Sequence, residues 1–357
     1  MSERVLRVGV VGCGQIAQIM HLPYLHELPT FQIGAVCDIS AARVDAVGRH
    51  YGVDRRFTDY RRLLDLPDLD AVLVTTRDHA PVAIAAANAG KHVMTEKPIA
   101  FNLEDADAVI AAARANKVKL QVAYMKRYDP SYEWAVPVFK AMRDRRLIRV
   151  HDLGGEFGIN DQIYDLFPAP DLPAAVAAEE AERARAAQLQ AIGADRPAML
   201  PAYNGLLHLC THDATILRGA FGDPRGVLFA DVYAGPFVVA VLDYGEGCRC
   251  VWESGYSRKT VPWDETLSAY GADQFVEVRF PYPYLHNGET VVNVRRMEDG
   301  AFVEKNVVAS YDEAFKREWK AFHRCVVEDR EPLTNGEEGR ADVAMLIDVI
   351  KACRAAP

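Results

Sequence analysis

A glycine-containing turn near the start of the chain constrains its fold more than any other feature. Gly12-Cys13-Gly14-Gln15-Ile16-Ala17 follows the strand-like run Val8–Val11 and opens a helical pattern over Gln15–Leu28. The first glycine permits a tight turn, the second lets the backbone approach a pyrophosphate, and the alanine still allows close helix–strand packing. Free N–H groups at the start of the helix can then bind the phosphates. The turn therefore predicts a dinucleotide site with contacts at Gly12, Gly14, Gln15 and Ile16.

An acidic residue extends this pattern. The second predicted strand, Gln32–Asp38, ends at Asp38, 24 residues after Gly14, where a carboxylate would bind ribose hydroxyls. Because a carboxylate repels a 2′-phosphate, Asp38 favours NAD over NADP. Arg43 tempers this preference, although we expect it to be solvated on the following helix. The alternative is a non-binding α/β domain whose glycines serve only a tight turn.

Strand and helix patterns alternate through the first ~120 residues. Ser40, Asp59 and Asn102 are suitable N-caps for three of the helices. Short apolar strands separated by helices predict a parallel, doubly wound sheet buried on both faces. Its expected strands after the first two are Ala71–Thr75, His92–Thr95 and Leu120–Tyr124.

The second half has a different pattern. After a predicted helix from Pro130 to about Arg145 and a strand around Val150–Ile159, β-branched runs follow with few helices between them, which predicts a mostly antiparallel sheet. Those runs are Val227–Val232, Phe237–Leu242, Cys248–Glu253, Phe275–Phe280, Thr290–Val294 and Phe302–Val308, before two closing helices at Asp312–Val327 and Glu337–Ala352. We therefore expect an α/β doubly wound domain over 1–123 and an α+β domain over 124–357. An Ala- and Glu-rich helix, Ala174–Gln190, makes 171–199 resemble an insertion, with coiled-coil pairing as an alternative.

Composition and charge exclude several classes of protein. With 50% hydrophobic and 25% charged residues, the 357-residue chain is globular rather than disordered. A formal net charge of −9 argues against nucleic acid as a partner. No apolar run reaches the ~18 residues of a membrane span, and no secretory signal precedes the first strand. Seven cysteines without a CxxC pair argue against a disulfide framework or a cysteine zinc site, and a cytoplasmic location fits best.

One segment carries a family resemblance. Gly90-Lys91-His92-Val93-Met94-Thr95-Glu96-Lys97-Pro98 closely resembles the signature of the Gfo/Idh/MocA oxidoreductases. The glycine loop, Arg127-Tyr128-Asp129-Pro130 and the predicted helix Leu206–Phe221 extend the resemblance over nearly the whole chain. It implies an N-terminal Rossmann domain and a C-terminal α/β domain with an open sheet. It also implies a homo-oligomer, a dimer or a tetramer, formed through that sheet.

Lys97 is the first candidate catalytic group. It lies at the carboxyl end of a predicted parallel strand, where open α/β sheets bind ligands, and Pro98 fixes the backbone after it. A lysine beside a nicotinamide can hold a reacting hydroxyl and stabilise alkoxide charge, and desolvation can lower its pKa. The family resemblance gives the matching lysine this role. The alternative is a surface lysine paired with Glu96.

Two histidines on the predicted helix Leu206–Phe221 depart from the family pattern. The family usually has an aspartate and then a histidine four residues later, whereas this chain has His208 and His212. The resemblance makes His212 the general base, since imidazole titrates near neutrality. His208 could act as base, proton relay or substrate ligand, but it supplies no fixed negative charge. Half of a metal site, or a core-packed His208, are the alternatives; we expect no metal, because no glutamate stands between the histidines as in a zincin.

Further candidates flank these groups. Lys126 and Arg127 follow the last predicted strand of the first domain, as substrate contacts or as interdomain ion-pairing residues. Candidate substrate contacts elsewhere are Tyr128, Tyr164 and Asn204, and candidate cofactor contacts are Thr75, His79 and Glu96, with helix capping as the alternative for His79.

Together these features predict an NAD-dependent oxidoreductase acting on a secondary hydroxyl of a sugar, glycoside or cyclitol. A neutral polyol substrate also agrees with the acidic charge. Two alternatives remain: a redox-assisted glycosidase or epimerase that retains NAD, and a nucleotide-sensing regulator without catalysis. The presence of Lys97 and His212 argues against the regulator.

Overall fold

The structure, a computed structural model, describes residues 4–155, 157–256 and 263–353. These residues form two compact units. The first contains the chain up to Ala123 together with Asn160–Ala187 and Glu318–Arg340. The second contains Tyr124–Ile159, Gln188–Arg317 and the chain from Ala341 onward. The first unit is therefore built from three separate parts of the sequence.

A parallel sheet forms the centre of the first unit. Its strands are β1 (Leu6–Val11), β2 (Phe31–Cys37), β3 (Arg56–Phe57), β4 (Ala71–Val74), β5 (His92–Glu96) and β6 (Leu120–Ala123). They are arranged in the order β3-β2-β1-β4-β5-β6, and every pairing is parallel. The order reverses beside β1, so its carboxyl end lies at the switch point where doubly wound sheets bind ligands.

Helices connect these strands, and short polar side chains begin several of them. Ser40 and Asn102 accept hydrogen bonds from Arg43 N–H and Asp105 N–H, as the predicted N-caps should. The predicted helix after the glycine loop contains a π-helical turn over Ala17–His21. The helices are α1 (Leu22–Glu27), α2 (Ala41–His50), α3 (Tyr60–Leu64), α4 (Ala80–Asn88) and α5 (Leu103–Ala115).

A mostly antiparallel sheet forms the second unit. Its strands are β7 (Leu147–Gly154), β8 (Gly226–Tyr233), β9 (Phe237–Asp243), β10 (Arg249–Tyr256), β11 (Asp264–Tyr270), β12 (Gln274–Phe280), β13 (Val291–Glu298) and β14 (Ala301–Val307). They follow the order β14-β13-β12-β11-β7-β10-β9-β8, and the β7–β10 pair is parallel. The two sheets confirm the predicted fold class.

The remaining helices lie beyond β6. They are α6 (Pro130–Ala141), α7 (Asn160–Ile163), α8 (Ala174–Ile192), α9 (Leu200–Gly205), α10 (Thr211–Phe221), α11 (Ala314–Val327) and α12 (Gly336–Ala352). A π-helical turn, Leu206–Cys210, runs directly into α10, and 3₁₀ turns cover Met125–Tyr128, Phe157–Ile159 and Pro197–Met199. Among the described residues, no helix combines the length and the apolar character needed to cross a bilayer.

Some predicted boundaries are wrong. The strand expected around Val150–Ile159 ends at Gly154 and gives way to a 3₁₀ turn, while Glu156 lies outside the described residues. The helix expected to reach Arg145 ends at Ala141. Strand β11 was not predicted, because Asp264-Glu265-Thr266-Leu267-Ser268-Ala269-Tyr270 lacks a β-branched alternation. Pairing with β7 and β12 on its two sides outweighs that weak local preference.

Candidate functional site

The glycine loop has the shape that a dinucleotide requires. Gly12 has a φ of +95°, and a Cβ there would lie 2.7 Å from the carbonyl group of Thr75. The Thr75 hydroxyl donates to Gly12 O at 2.6 Å and fixes this close approach. A Cβ at Gly14, in contrast, would meet nothing within 4 Å. Gly12 therefore serves the turn, and Gly14 leaves open space where a phosphate can approach the backbone.

Asp38 is held by the main chain beside this loop. Its Oδ2 accepts from Cys13 N–H at 2.8 Å, and its Oδ1 accepts from Ser40 N–H at 2.9 Å. The Arg43 guanidinium lies 3.7 Å from Oδ2, so Arg43 is not simply solvated as expected. Both backbone bonds fix the carboxylate at the carboxyl end of β2, the position predicted for a ribose contact.

A cavity of about 430 Å³ extends from this loop. Gly12, Gly14, Asp38 and Thr75 line it, whereas Gln15, Ile16 and His79 do not. Part of its wall comes from residues 164–183, here called the strap, through Leu172, Val176, Glu180 and Arg183. The Arg183 Nε donates to Asp78 Oδ2 at 2.9 Å and fixes the far end of the strap. Much of the segment predicted as an insertion thus packs within the first unit.

The Glu96–Lys97 turn is supported by a buried hydrogen-bonded chain. Trp319 Nε1–H donates to His21 Nδ1 at 3.1 Å, and His21 Nε2 lies 2.8 Å from Glu96 Oε1. Because an indole only donates, His21 Nδ1 accepts, and the proton on Nε2 is donated to Glu96. Glu96 Oε2 in turn accepts from the backbone N–H of Lys97 at 3.1 Å. Glu96 therefore fixes the backbone of Lys97, and its carboxylate is buried rather than on the surface.

This support also sets the charge of Glu96. Burial alone would raise its pKa, but the hydrogen bond from His21 and the charge of Lys97 outweigh burial and hold the pKa below its usual value. Glu96 is therefore a carboxylate at neutral pH. Lys97 itself is half-buried at the carboxyl end of β5.

His79, the residue before α4, supports the same turn. Its Nδ1 donates to the carbonyl oxygen of Pro98 at 2.7 Å, and its side chain makes no capping bond to the amides of α4. Burial lowers the pKa of His79 and favours the neutral ring. His79 thus contacts the turn and also occupies the N-cap position of α4, without a capping bond from its side chain.

In the second unit, His208 and His212 differ in burial. His208 is exposed, so the alternative of a core-packed histidine is wrong. His212 is 6% exposed, and its ring lies edge-on to Tyr124 with centroids 6.3 Å apart. The Tyr124 hydroxyl and Thr211 Oγ1, 3.0 Å apart, fix the start of α10. The buried imidazole is thus held at a defined place, whereas His208 is open to solvent.

Asp213, the residue after His212, belongs to a buried cluster of carboxylates. Oxygen atoms of Asp152, Asp213 and Glu265 lie within 4.8 Å of one another, and all three residues are fully buried. The Lys126 ammonium is ion-paired with Glu265, and Trp263 Nε1–H donates to Glu265 Oε2 at 2.9 Å. Among the described residues, this cluster is a group of three side chains spaced closely enough to share a metal ion. The cluster already contains a cation, the ammonium of Lys126.

The cluster shifts the pKa values of its members. Burial, together with the charges of Asp152 and Glu265, raises the pKa of Asp213 well above its usual value. Burial would lower the pKa of Lys126, but Glu265 and Asp152 outweigh it and the net pKa is raised. Lys126 is therefore charged, and protonation of Asp213 is favoured.

The remaining candidates have mainly internal partners. Lys126 is 3% exposed and bonded to Glu265 within its own unit, and Arg127 donates to the Thr215 carbonyl at 3.2 Å. Ion pairing was the predicted alternative for Lys126, but its partner lies in the same unit rather than in another domain. Tyr164 directly follows α7, a short helix. Asn204 Oδ1 accepts from Gln188 Nε2 at 3.3 Å.

Several residues of these sites were missed from the sequence. Asp152 had a signal: it shares one face of β7 with Ile148, Val150 and Gly154, so its alternation with buried positions predicts a buried carboxylate. His21 and Trp319 had none, because they are 298 residues apart. Asp171, in the strap, likewise contacts the start of α2 from 131 residues away.

Comparison with known proteins identifies the first domain. The Gfo/Idh/MocA family model, described as an oxidoreductase family with an NAD-binding Rossmann fold, matches residues 6–124. An uncharacterised oxidoreductase of Bacillus subtilis is 35% identical over 135 residues, 37% of this chain and 39% of that protein. Residues 6–124 therefore match the Gfo/Idh/MocA oxidoreductase family, and the predicted resemblance is confirmed over this region.

Other relatives match the same region of the chain. The inositol 2-dehydrogenase of Salmonella typhimurium is 36% identical over 131 residues, 36% of this chain and 39% of that protein. The chain thus spans about two fifths of the length of the curated relatives it matches. A 3-ketoreductase from Actinomadura kijaniata, solved in complex with NADP, has a TM-score of 0.76 with 98% of each chain covered. Its sequence identity is 18%, so this likeness shows a shared fold.

Proposed function

We propose that the chain is an NAD-dependent oxidoreductase acting on a secondary hydroxyl or ketone of a sugar, glycoside or cyclitol. The observation that carries the proposal is Lys97, held at the carboxyl end of β5 by the buried carboxylate of Glu96 in a domain of this family. The names of the relatives support the substrate class, since they include inositol 2-dehydrogenases and a 3-ketoreductase.

The residues of the first unit fit a nicotinamide dinucleotide. Gly14 leaves open space beside the helix start, and Asp38 offers a carboxylate fixed by two backbone amides. A bound nicotinamide ring supplies hydride transfer. We assign Gly12 and Gly14 to the pyrophosphate, and Asp38 to the ribose hydroxyls, which favours NAD over NADP.

Lys97 and His212 are assigned complementary roles. The Lys97 ammonium holds the reacting oxygen and stabilises the negative charge that develops on it. His212 takes up the hydroxyl proton, because a neutral imidazole accepts protons near pH 7. His208, exposed to solvent, then passes that proton to water.

The Lys97→Ala variant tests the assignment. Turnover, followed by absorbance of the reduced cofactor on a panel of cyclitols, sugars and glycosides, should fall by about a thousandfold or more. The dissociation constant for NAD, measured by calorimetry, should change by less than about threefold, because Lys97 acts on the substrate oxygen. Lys140→Ala, an exposed lysine on α6, is the matched control. Near-normal turnover in Lys97→Ala contradicts the proposal. A wild type that binds NAD but turns over no substrate of the panel favours a nucleotide-sensing regulator.

A further inference from the structure

The strap is tied directly to the glycine loop. The side-chain amide of Gln18 donates to Phe167 O at 3.1 Å and accepts from Phe167 N–H at 2.7 Å. The same Nε2 donates to Cys13 O at 2.7 Å, inside the loop. Arg43 Nε also donates to Phe167 O, at 3.3 Å. One residue of the strap is therefore fixed against both the glycine loop and helix α2.

Asp171 extends from the strap to the N-terminus of α2. Its Oδ2 accepts from Ala42 N–H at 3.0 Å, and its Oδ1 accepts from the Ser40 hydroxyl. These hydrogen bonds, first that from Ser40 and then that from Ala42, hold the pKa of Asp171 below its usual value, so the group is an anion at neutral pH. A negative charge at this position is favoured by the dipole of the ten-residue helix.

The amides of Arg43 and Val44, also near the start of α2, have partners as well. Arg43 N–H donates to Ser40 Oγ at 3.1 Å, and Val44 N–H donates to Ser40 O at 3.0 Å. Asp38 takes the N–H of Ser40 itself. A further anion at this end of α2 would have to displace Asp171 from Ala42.

A 2′-phosphate is such an anion. It carries a charge of about −1.5 to −2 at neutral pH, and in dinucleotide-binding folds it lies near the residue that ends the second strand, here Asp38. Arg43, whose guanidinium lies 3.7 Å from Asp38 Oδ2, is already engaged with that carboxylate and with Phe167 O. The carboxylates of Asp38 and Asp171 therefore repel a phosphate, and Arg43 is already paired and does not offset this repulsion. A neutral 2′-hydroxyl is not repelled.

We propose that Asp171 is a second cofactor-specificity residue, delivered by the strap, which occupies the anion position at the start of α2 and so selects dinucleotides with a free 2′-hydroxyl. This inference rests on the proposed function, because it requires a nicotinamide dinucleotide in the pocket lined by Gly14 and Asp38. It differs from the role of Asp38, since Asp171 comes from a segment outside the matched residues 6–124.

Calorimetric binding of NAD and NADP to the full chain tests the proposal without any substrate. The wild type should bind NAD at least about tenfold more tightly than NADP. In Asp171→Asn the preference should narrow by about tenfold, mainly through tighter NADP binding, because one anion is removed from the phosphate position. Asp165→Asn, which removes an exposed charge from the same strap, should leave both dissociation constants unchanged. Asp171→Glu keeps the charge and should keep the preference.

The outcomes separate this proposal from the broader one. A wild type that prefers NADP, or an Asp171→Asn variant that binds NAD normally with an unchanged preference, overturns the role of Asp171 and leaves the oxidoreductase assignment standing. If Asp171→Glu loses the preference as completely as Asp171→Asn, the effect comes from strap geometry and the charge-based role is overturned. Binding of neither dinucleotide by a folded wild type overturns both proposals. Thermal unfolding of each variant, and a second neutral variant, Asp171→Ser, exclude misfolding as the cause.

Discussion

Glu96 and Asp213 are both buried carboxylates, yet their pKa values shift in opposite directions. Glu96 has a dedicated donor on each oxygen, His21 and the backbone of Lys97, and its pKa is lowered. Asp213 lies among other carboxylates that share one nearby ammonium, and its pKa is raised. The difference shows that the partners of a buried acid, rather than its burial, decide whether the acid stays charged.

The largest expected effect comes from removing the Lys126 ammonium, the cation that the carboxylates of the second unit share. In Lys126→Met the carboxylate of Glu265 keeps its burial but loses its counter-charge. We expect the free energy of unfolding to fall by about 3–5 kcal/mol, as for other buried pairs that lose one partner. Urea unfolding at pH 7 measures the change. Lys140→Met, on the exposed face of α6, should stay within about 0.5 kcal/mol of the wild type, and an equal loss in both variants would contradict the role of the pair.

Replacing Glu96 by a neutral residue should show, through the pH dependence of stability, that the pKa of Glu96 is lowered in the folded state. Because its folded pKa is lowered, Glu96 stabilises the fold above its unfolded pKa of about 4.5, and this contribution is lost as the pH falls through the folded value. Glu96→Gln should therefore cost about 1–3 kcal/mol at pH 7 and less at acid pH. Urea unfolding between pH 3.5 and 7 gives the difference, with exposed Glu179→Gln as the control. A cost that does not depend on pH would show that the charge of Glu96 is not what stabilises the turn.

Neutralising Asp213 should change the free energy of unfolding in the opposite direction and by a smaller amount. Because its folded pKa is raised, ionisation destabilises the fold, and this penalty grows as the pH rises from the unfolded value of about 3.8 through the folded one. Asp213→Asn should thus be more stable than the wild type at neutral pH by about 1 kcal/mol, with the advantage shrinking toward pH 4. Exposed Asp348→Asn is the control in the same titration. A variant less stable than the wild type at pH 7 would mean that the ionised carboxylate is needed in the cluster.

The sequence predicts the parts of these sites that depend on local structure. The glycine loop, Asp38 at the end of β2 and the caps Ser40 and Asn102 all follow from residues a few positions apart, and the structure places them as expected. Such features obey short-range rules of turn and helix chemistry, so a single chain without relatives suffices.

The distant side chains that set the charge of the buried groups could not be predicted from local sequence. The contacts of His21 with Trp319, Lys126 with Glu265 and Asp171 with Ser40 join residues 298, 139 and 131 positions apart. No local pattern specifies which distant side chain meets which. The strand that carries Glu265, β11, was itself missed, because its position inside a sheet rather than its own composition makes it a strand.

The chain that links Trp319, His21 and Glu96 has a consequence for protein synthesis. Strand β5 is synthesised roughly 200 residues before Trp319, and the glycine loop earlier still. At roughly 5–20 residues per second, the turn that carries Lys97 waits on the order of 10–40 s for the indole that fixes the proton of His21. A nascent chain that already holds every residue of the parallel sheet therefore still lacks part of what positions its lysine.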